Sequence, residues 1–94
     1  MIIKYHKHFN NHILEIVEFI KRDSEERALN FYNELQEKIS SVKFMPYKHR
    51  KNLQLNKDNV RDFIFKGYVI PFLVDKNEII ILDIYKHNIW KWKK

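Results

Sequence analysis

The sequence predicts an α+β fold in which an antiparallel two-helix hairpin packs on one face of a mainly antiparallel sheet. Two amphipathic segments follow each other closely in the first half of the chain, and three β-prone segments joined by short turns occupy the second half. A β-prone run at Met1–His6 predicts an N-terminal strand before the helices. We expect residues 1–94 to form one domain whose other sheet face, with its basic rims, is open for binding.

The sequence between residues 10 and 22 predicts the first helix. Apolar side chains recur there at three- and four-residue spacing, which places a stripe on one helix face. Asn10 or Asn11 would cap the helix by accepting a hydrogen bond from an amide of the first turn. The stripe consists of Ile13, Leu14, Ile16, Val17, Phe19 and Ile20.

The second helix is predicted to start at Asp23 or Ser24, directly after the first. Asp23 followed by Glu26 is typical of a capping box. Met45-Pro46 ends the helix, because proline lacks an amide and disfavours helix in the residue before it. The very short link predicts that the two helices form a hairpin. The second stripe consists of Ala28, Leu29, Phe31, Tyr32, Leu35, Ile39 and Val42.

The second half of the chain predicts a loop followed by a three-stranded meander. Residues 43–57 are polar, basic and irregular, with a short strand expected at Asn52–Leu55. Lys66-Gly67 supplies the first meander turn, because glycine tolerates a positive φ. Pro71 predicts an edge position or a bulge, and the last strand, nearly continuous in Ile and Leu, is expected to be central and buried on both faces. The strands are Val60–Phe65, Tyr68–Val74 and Ile79–Tyr85.

Charge is distributed unevenly along the chain. The net charge is +6, yet residues 11–41 carry −3 and the remainder carries +9. A basic region attracts phosphates or an acidic protein, but many solvent-exposed surfaces without a binding function are also basic. The lack of cysteine excludes disulfides, thiolate metal sites and a cysteine nucleophile. No apolar run is long enough to span a membrane and no signal peptide is recognisable, so we expect a cytoplasmic protein.

Two basic and aromatic segments are candidate functional sites. The first is a loop segment that suits either phosphate contact with base stacking or simple solvation, and it comprises Tyr47, Lys48, His49, Arg50 and Lys51. In the second, a histidine beside lysines can stay a neutral base near pH 7, and tryptophans can stack on bases or close the core. That segment comprises Lys86, His87, Trp90, Lys91 and Trp92.

Two further cations, Arg61 and Lys66, flank the first meander strand and are placed to reach the open sheet face. An arginine in a strand is also a common surface ion-pair partner. The five histidines show no His-Glu-x-x-His motif and no carboxylate at ligand spacing beside them. Gly-rich phosphate loops and nucleophile motifs are missing as well, so we expect neither a metal nor another cofactor.

The stretch VRDFIFKGYVIPFLVDKNEIIILDIYKH resembles the RelE/ParE toxin superfamily of bacterial type II toxin–antitoxin systems. It is similar to the family pattern of a Val/Leu-Arg strand, a turn into an aromatic-led strand, an acidic turn, and an Ile/Val-rich strand with a basic or histidine-bearing end. The upstream ALNFYNELQEKISSVKFMPYK resembles the family's second helix, which ends before a proline. The element order matches over nearly the whole chain. The resemblance implies a toxin that a cognate antitoxin neutralises.

This resemblance implies one of two activities. RelE-like members cut mRNA in the ribosomal A site without a metal, whereas ParE-like members inhibit DNA gyrase and are not nucleases. RelE-like members often have arginine after the aromatic residue of the second meander strand, but Val69 stands there in this chain. Ribosome-dependent mRNA cleavage is our leading prediction. The alternatives are gyrase inhibition and a divergent member with little toxicity.

For mRNA cleavage the resemblance implies a role for each candidate residue. His87 would be the general base or acid, Arg61 and Lys86 would stabilise charge on the phosphate, and His49 would be an additional catalytic group. The ribosome and mRNA are the partners on this hypothesis, and DNA gyrase is the partner on the alternative. The RNA-binding candidates are Tyr47, Lys48, Arg50, Lys51, Lys66, Trp90 and Lys91.

Overall fold

The computed structural model describes residues 1–86, Trp90 and Trp92, and confirms the α+β prediction. Two helices and five strands occur in this part of the chain, together with one 3-10 turn. In chain order they are β1 (Ile2–Tyr5), α1 (Lys7–Lys21), α2 (Glu25–Val42), the 3-10 turn (Pro46–Lys48), β2 (Arg50–Lys51), β3 (Val60–Phe65), β4 (Tyr68–Asp75) and β5 (Glu78–Ile81).

The strands form one sheet in the order β1-β5-β4-β3-β2. β1 runs parallel to β5, and all other neighbours are antiparallel. The middle strand is therefore β4, which is buried over most of its length. The last strand, β5, lies beside it inside the sheet, with Ile79 and Ile81 buried and Glu78 and Ile80 half-buried, so the predicted burial is complete on one face and partial on the other.

The two helices cover one face of the sheet and form the core with it. Leu35 and Ile39 of α2 are fully buried in the same cluster as Ile70 and Phe72 of β4 and Ile79 of β5. Alternate side chains along a strand point to the same face of the sheet. In each long strand, one set of alternate apolar side chains therefore faces the helices.

The start of α1 differs from the prediction. The helix begins at Lys7, and its cap is His6 rather than Asn10 or Asn11. The Nδ1 atom of His6 accepts a hydrogen bond from the backbone N–H of His8 at 3.1 Å. An imidazole therefore satisfies an amide of the first turn, which is the role that sequence reasoning gave to an asparagine.

The start of α2 agrees with one of the two predicted caps. The Ser24 hydroxyl accepts a hydrogen bond from the N–H of Arg27 at 3.2 Å. The predicted capping box of Asp23 and Glu26 is wrong, because the Asp23 carboxylate pairs instead with the Arg27 guanidinium. Glu25 and Glu26 in the first turn still stabilise the helix through its dipole.

The apolar stripes are narrower than predicted. Leu14 and Phe19 of α1 and Leu29 and Tyr32 of α2 are exposed, although each was assigned to a stripe. Phe9 is buried and was missed, because it precedes the predicted start of α1. A helix resting on a sheet buries only the central part of its apolar face, so residues at the edge of the stripe remain in water.

The basic loop has its strand two residues earlier than predicted. β2 is Arg50–Lys51, and the expected strand at Asn52–Leu55 is wrong. The Asn52 side-chain oxygen accepts a hydrogen bond from the amide of Leu55 at 2.8 Å, and its carbonyl accepts from the amide of Asn56 at 3.0 Å. These bonds close a turn, which an extended strand cannot accommodate.

The end of β5 is controlled by Pro71 on the neighbouring strand. Leu82 donates its amide to the Pro71 carbonyl at 2.9 Å, but proline has no amide to return the bond. β5 therefore stops at Ile81 instead of Tyr85, and pairing resumes only as an isolated bridge between Tyr85 and Val69. Pro71 lies in an interior strand, so the predicted edge position is wrong. The alternative, a bulge, agrees with the pairing: between the Phe72–Ile81 and Val69–Tyr85 pairs, β4 has two residues and the partner segment has three.

The hairpin between β3 and β4 is as predicted. Phe65 pairs with Tyr68, and the two turn residues between them both have positive φ: 48° at Lys66 and 84° at Gly67. This is the type I′ geometry that matches the twist of a hairpin.

Candidate functional site

The Asp83 carboxylate lies at the break in the ladder, just after β5, and is 4% exposed. Its Oδ1 accepts a hydrogen bond from the N–H of Ile84 at 2.8 Å and lies 2.6 Å from Nδ1 of His12 on α1. Its Oδ2 accepts from Nε1 of Trp90 at 2.8 Å. We call His12, Asp83, Ile84 and Trp90 the Asp83 cluster. It joins α1 and Trp90 to the end of the sheet.

Sequence reasoning named neither His12 nor Asp83 as a candidate functional residue. The available signal was a single acid inside the apolar run ILDIY, where a buried charge requires partners. The partners come from positions far apart in sequence, so they could not be identified before the fold was known.

Aromatic rings pack around the Asp83 cluster. Trp90 is buried and stacks on Tyr85, with centroids 5.5 Å apart and planes 1° apart. Burial raises the pKa of the Tyr85 phenol, and the Asp62 carboxylate raises it further, so Tyr85 is a neutral donor at pH 7. A cavity of about 460 Å³ opens beside these rings, lined by residues that include His12, Glu15, Tyr68, Asp83, Lys86 and Trp90.

The basic loop and β3 bring three predicted site residues together. The Arg61 guanidinium lies over the Tyr47 ring, 4.9 Å from its centroid. Its Nε donates to the carbonyl of Asp58 at 2.9 Å and its Nη1 to the carbonyl of His49 at 3.3 Å. Arg61 is therefore fixed by the protein's own backbone.

His49 turns its ring towards the core. The ring packs edge-on against Phe63 and Phe72, with centroids 6.0 and 5.6 Å away, and its buried Nε2 has no hydrogen-bond partner among the described residues. Burial lowers the pKa of His49, and the neighbouring Lys48 lowers it further. The structure thus provides a neutral imidazole whose Nε2 is shielded from solvent.

The other predicted cations in the described part of the chain also have partners. The exception is Lys48, which forms no ion pair with the described residues. The Arg50 guanidinium lies 3.4 Å from the buried Asp62 carboxylate, which also accepts from the Asn52 amide at 2.8 Å. Other contacts join Lys51 to Asp58 at 3.2 Å, Lys66 to Glu34 at 2.8 Å, and Lys86 to the ring of Tyr68 at 5.5 Å.

These cations form two separate groups. Arg61 lies at the start of β3, whereas Lys66 and Lys86 lie near Phe65 and Tyr68 at the other end of the β3–β4 hairpin. Positions 61 and 65 are four residues apart along the strand, a backbone distance of about 13 Å at the usual rise. A single phosphate needs its cations within about 4 Å. His87 and Lys91 lie outside the described residues.

The fold is that of a small two-helix, five-stranded domain, and its sequence identifies the family. The family model for the ParE toxin of the type II toxin–antitoxin system parDE matches residues 3–89, so the chain belongs to this family. The predicted membership of the RelE/ParE superfamily is confirmed. A type II toxin has a cognate antitoxin, which is therefore a partner of this chain.

A solved structure described as "Chromosomal ParDE TA system from P. aeruginosa" is similar in fold. Its TM-score is 0.73 at 19% identity, and the match covers 92% of this chain and 95% of that chain. A search of curated proteins finds no match to the sequence.

Two further observations concern residues 1–86, Trp90 and Trp92. Neither helix is both long and apolar enough to cross a membrane. Within the same part of the chain, His, Asp and Glu side chains do not gather in threes or more at a place that could hold a metal ion.

Proposed function

We propose that this toxin arrests growth by binding DNA gyrase, without cleaving RNA, and that the cognate antitoxin prevents this binding. The matching family model is named for the toxin of parDE. Among the superfamily branches that the sequence resembles, the ParE-like branch is the one that inhibits gyrase. The proposal places the action of the toxin in the cytoplasm, where gyrase acts on DNA.

The observation that carries the proposal is the separation of the cations expected to act together on a phosphate. Arg61 donates to two backbone carbonyls at the start of β3, and Lys86 lies over Tyr68 at the far end of the hairpin. General acid–base cleavage of RNA requires its groups within hydrogen-bond reach of one phosphate. Their positions at opposite ends of the hairpin therefore support binding rather than cleavage.

The residue at position 69 supports the same proposal. Val69 is buried, and its backbone exchanges two hydrogen bonds with Tyr85, at 2.7 and 3.0 Å. In RelE-like members an arginine often stands at the matching position. Here a small apolar side chain fits the packed sheet, so a phosphate-binding cation is lacking at the point where the nuclease branch uses one.

The test is a supercoiling reaction with purified gyrase, ATP and relaxed plasmid, to which the purified toxin is added. We expect dose-dependent loss of supercoiled product and no loss when the cognate antitoxin is added first. The His49→Leu variant serves as the matched control, because it removes a predicted catalytic group and should inhibit gyrase as well as the parent chain does.

A parallel cell-free translation reaction, with mRNA ends mapped by primer extension, distinguishes the nuclease alternative. The proposal expects intact mRNA. Normal supercoiling together with new mRNA ends inside translated codons, formed only when ribosomes are present, would overturn it and would restore His87 and His49 as catalytic candidates.

A further inference from the structure

We propose that the loop after α2 carries a binding surface for single-stranded nucleic acid, formed by Lys43, Phe44, Tyr47, Lys48 and Arg61. We call this surface the Phe44–Tyr47 patch. This proposal goes beyond the inhibition of gyrase, because the patch would bind a nucleic acid strand without the help of another protein.

The first observation is an uninterrupted basic segment. Residues 43–57 contain five Lys and Arg residues and no Asp or Glu. Lys43 and Lys48 both lie on the surface, and neither forms an ion pair within the described part of the chain. Arg50 and Lys51 of the same segment pair with Asp62 and Asp58, so the attraction for a polyanion, and the affinity gained from counterion release, rest on the lysines that have no acidic partner.

The second observation is that two aromatic rings of the patch are exposed. Phe44 is 76% exposed and Tyr47 is 52% exposed, so neither ring is needed to fill the core. Exposed large aromatic side chains beside cations are the components of a stacking platform, because every unpaired base offers a flat face to a ring.

The third observation is that each ring already has a cation beside it. The Arg61 guanidinium lies 4.9 Å from the Tyr47 centroid, and the Lys43 ammonium lies 5.6 Å from the Phe44 centroid. Arg61 is also held by two backbone carbonyls, which fixes its position relative to the ring. A base stacked on the outer face of such a ring gains from both the ring and the cation behind it.

These observations favour a single strand over a duplex and over an acidic protein. A duplex keeps its bases stacked on each other, so it would leave both rings unused. An acidic peptide would use the lysines but offers no flat faces to the rings. Single-stranded DNA and RNA share the required chemistry of phosphates and unpaired bases.

The test is fluorescence anisotropy of labelled 20-nucleotide strands of thymidylate or uridylate with the purified toxin, in 50 and 200 mM salt. If Lys43, Lys48 and Arg61 each neutralise one phosphate, the slope of log affinity against log salt is about −2, and affinity falls about twentyfold over this range. A preference for one strand identifies DNA or RNA as the source of the ligand, and equal binding supports the shared chemistry.

Variants separate the rings from the charges. Phe44→Leu with Tyr47→Leu should weaken binding at least fivefold, whereas Phe19→Leu, which alters an exposed ring on α1, should leave it unchanged. Lys43→Gln with Lys48→Gln should lower the salt slope by about 1.4. The matched control, Lys21→Gln with Lys38→Gln, removes the same charge from the helices. Each variant is first checked for an unchanged melting temperature.

Three results would overturn the proposal. One is a loss of binding in the control variants as large as in the patch variants, since the attraction would then come from overall charge. The others are equal affinity for a 20-base-pair duplex and equal affinity for a 20-residue polyglutamate. Gyrase is absent from these reactions, so none of these results bears on its inhibition.

Discussion

The two faces of the sheet are stabilised by different kinds of interaction. The helix-covered face is an apolar core in which residues such as Leu35 and Phe72 are completely buried. On the other side and at the end of β5, a few buried polar side chains have specific partners, chiefly Asp83 with three polar contacts and Asp62 with Asn52 and Arg50. The stability that apolar packing supplies is distributed over many contacts, whereas each buried polar group depends on a small number of specific partners.

Truncation in the core tests the apolar half of this comparison and should have the largest effect. We expect Leu35→Ala to lower the free energy of unfolding by about 3 to 5 kcal/mol, because it leaves a cavity at a fully buried position. Leu29→Ala makes the same change on the exposed side of the same helix and should cost less than about 1 kcal/mol. Urea unfolding followed by circular dichroism measures both, and similar losses in the two variants would contradict the assignment of the helix faces.

Removal of the Asp83 carboxylate tests the polar half. Asp83→Ala leaves the Trp90 indole N–H and the Ile84 amide without their acceptor, at a cost of about 2 to 3 kcal/mol. Tryptophan fluorescence during urea unfolding gives the stability, and the emission maximum should shift as the Trp90 ring gains solvent. Asp75→Ala removes an exposed acid and is the control. An unchanged midpoint and emission in Asp83→Ala would show that these hydrogen bonds neither stabilise the fold nor keep Trp90 buried.

The hairpin turn allows a smaller, purely conformational test. Gly67 has a φ of 84°, and no atom lies within 4 Å of a Cβ built there. Gly67→Ala should therefore cost about 1 kcal/mol through backbone strain alone, and Gly67→Asn should cost less, because asparagine tolerates positive φ. Thermal unfolding of the two variants measures the difference. Equal losses would mean that the turn changes its geometry in the variants.

Acidification should have the smallest effect and should involve His49. Its pKa is lowered in the folded protein, so below about pH 6.5 the unfolded chain binds the proton first and the folded state loses stability. Burial lowers the pKa of His6 as well, and the neighbouring His8 and Lys7 lower it further. Acidification therefore destabilises the folded state through His6 in the same direction. Urea midpoints between pH 7 and 5 should fall less steeply in His49→Leu than in the parent chain. Equal slopes would remove His49 from this explanation.

Sequence periodicity predicted the apolar half of the molecule better than the polar half. Alternation and three-to-four spacing located both helices and defined β3 correctly, since those patterns reflect which side chains face the core. The end of β5 was missed because it depends on Pro71, a residue of the neighbouring strand. The His6 cap was missed because an asparagine is the usual candidate for that role.

In the candidate site, too, the features that depend on local sequence were predicted and those that depend on distant residues were not. Local sequence suggested a functional loop, and Tyr47, His49 and Arg61 do lie together. The Asp83 cluster could not be predicted, because His12 and Asp83 are 71 residues apart in sequence. The separation of Arg61 from Lys86 likewise depends on strand register, which the sequence alone does not give.

The central claim is that the toxin acts on gyrase by binding, and the most direct test is the order of events in cells. After induction of the toxin without its antitoxin, the superhelical density of a reporter plasmid and the rate of protein synthesis are followed in the same culture. We predict that the plasmid relaxes before protein synthesis declines. A decline in synthesis while the plasmid remains fully supercoiled would contradict the claim.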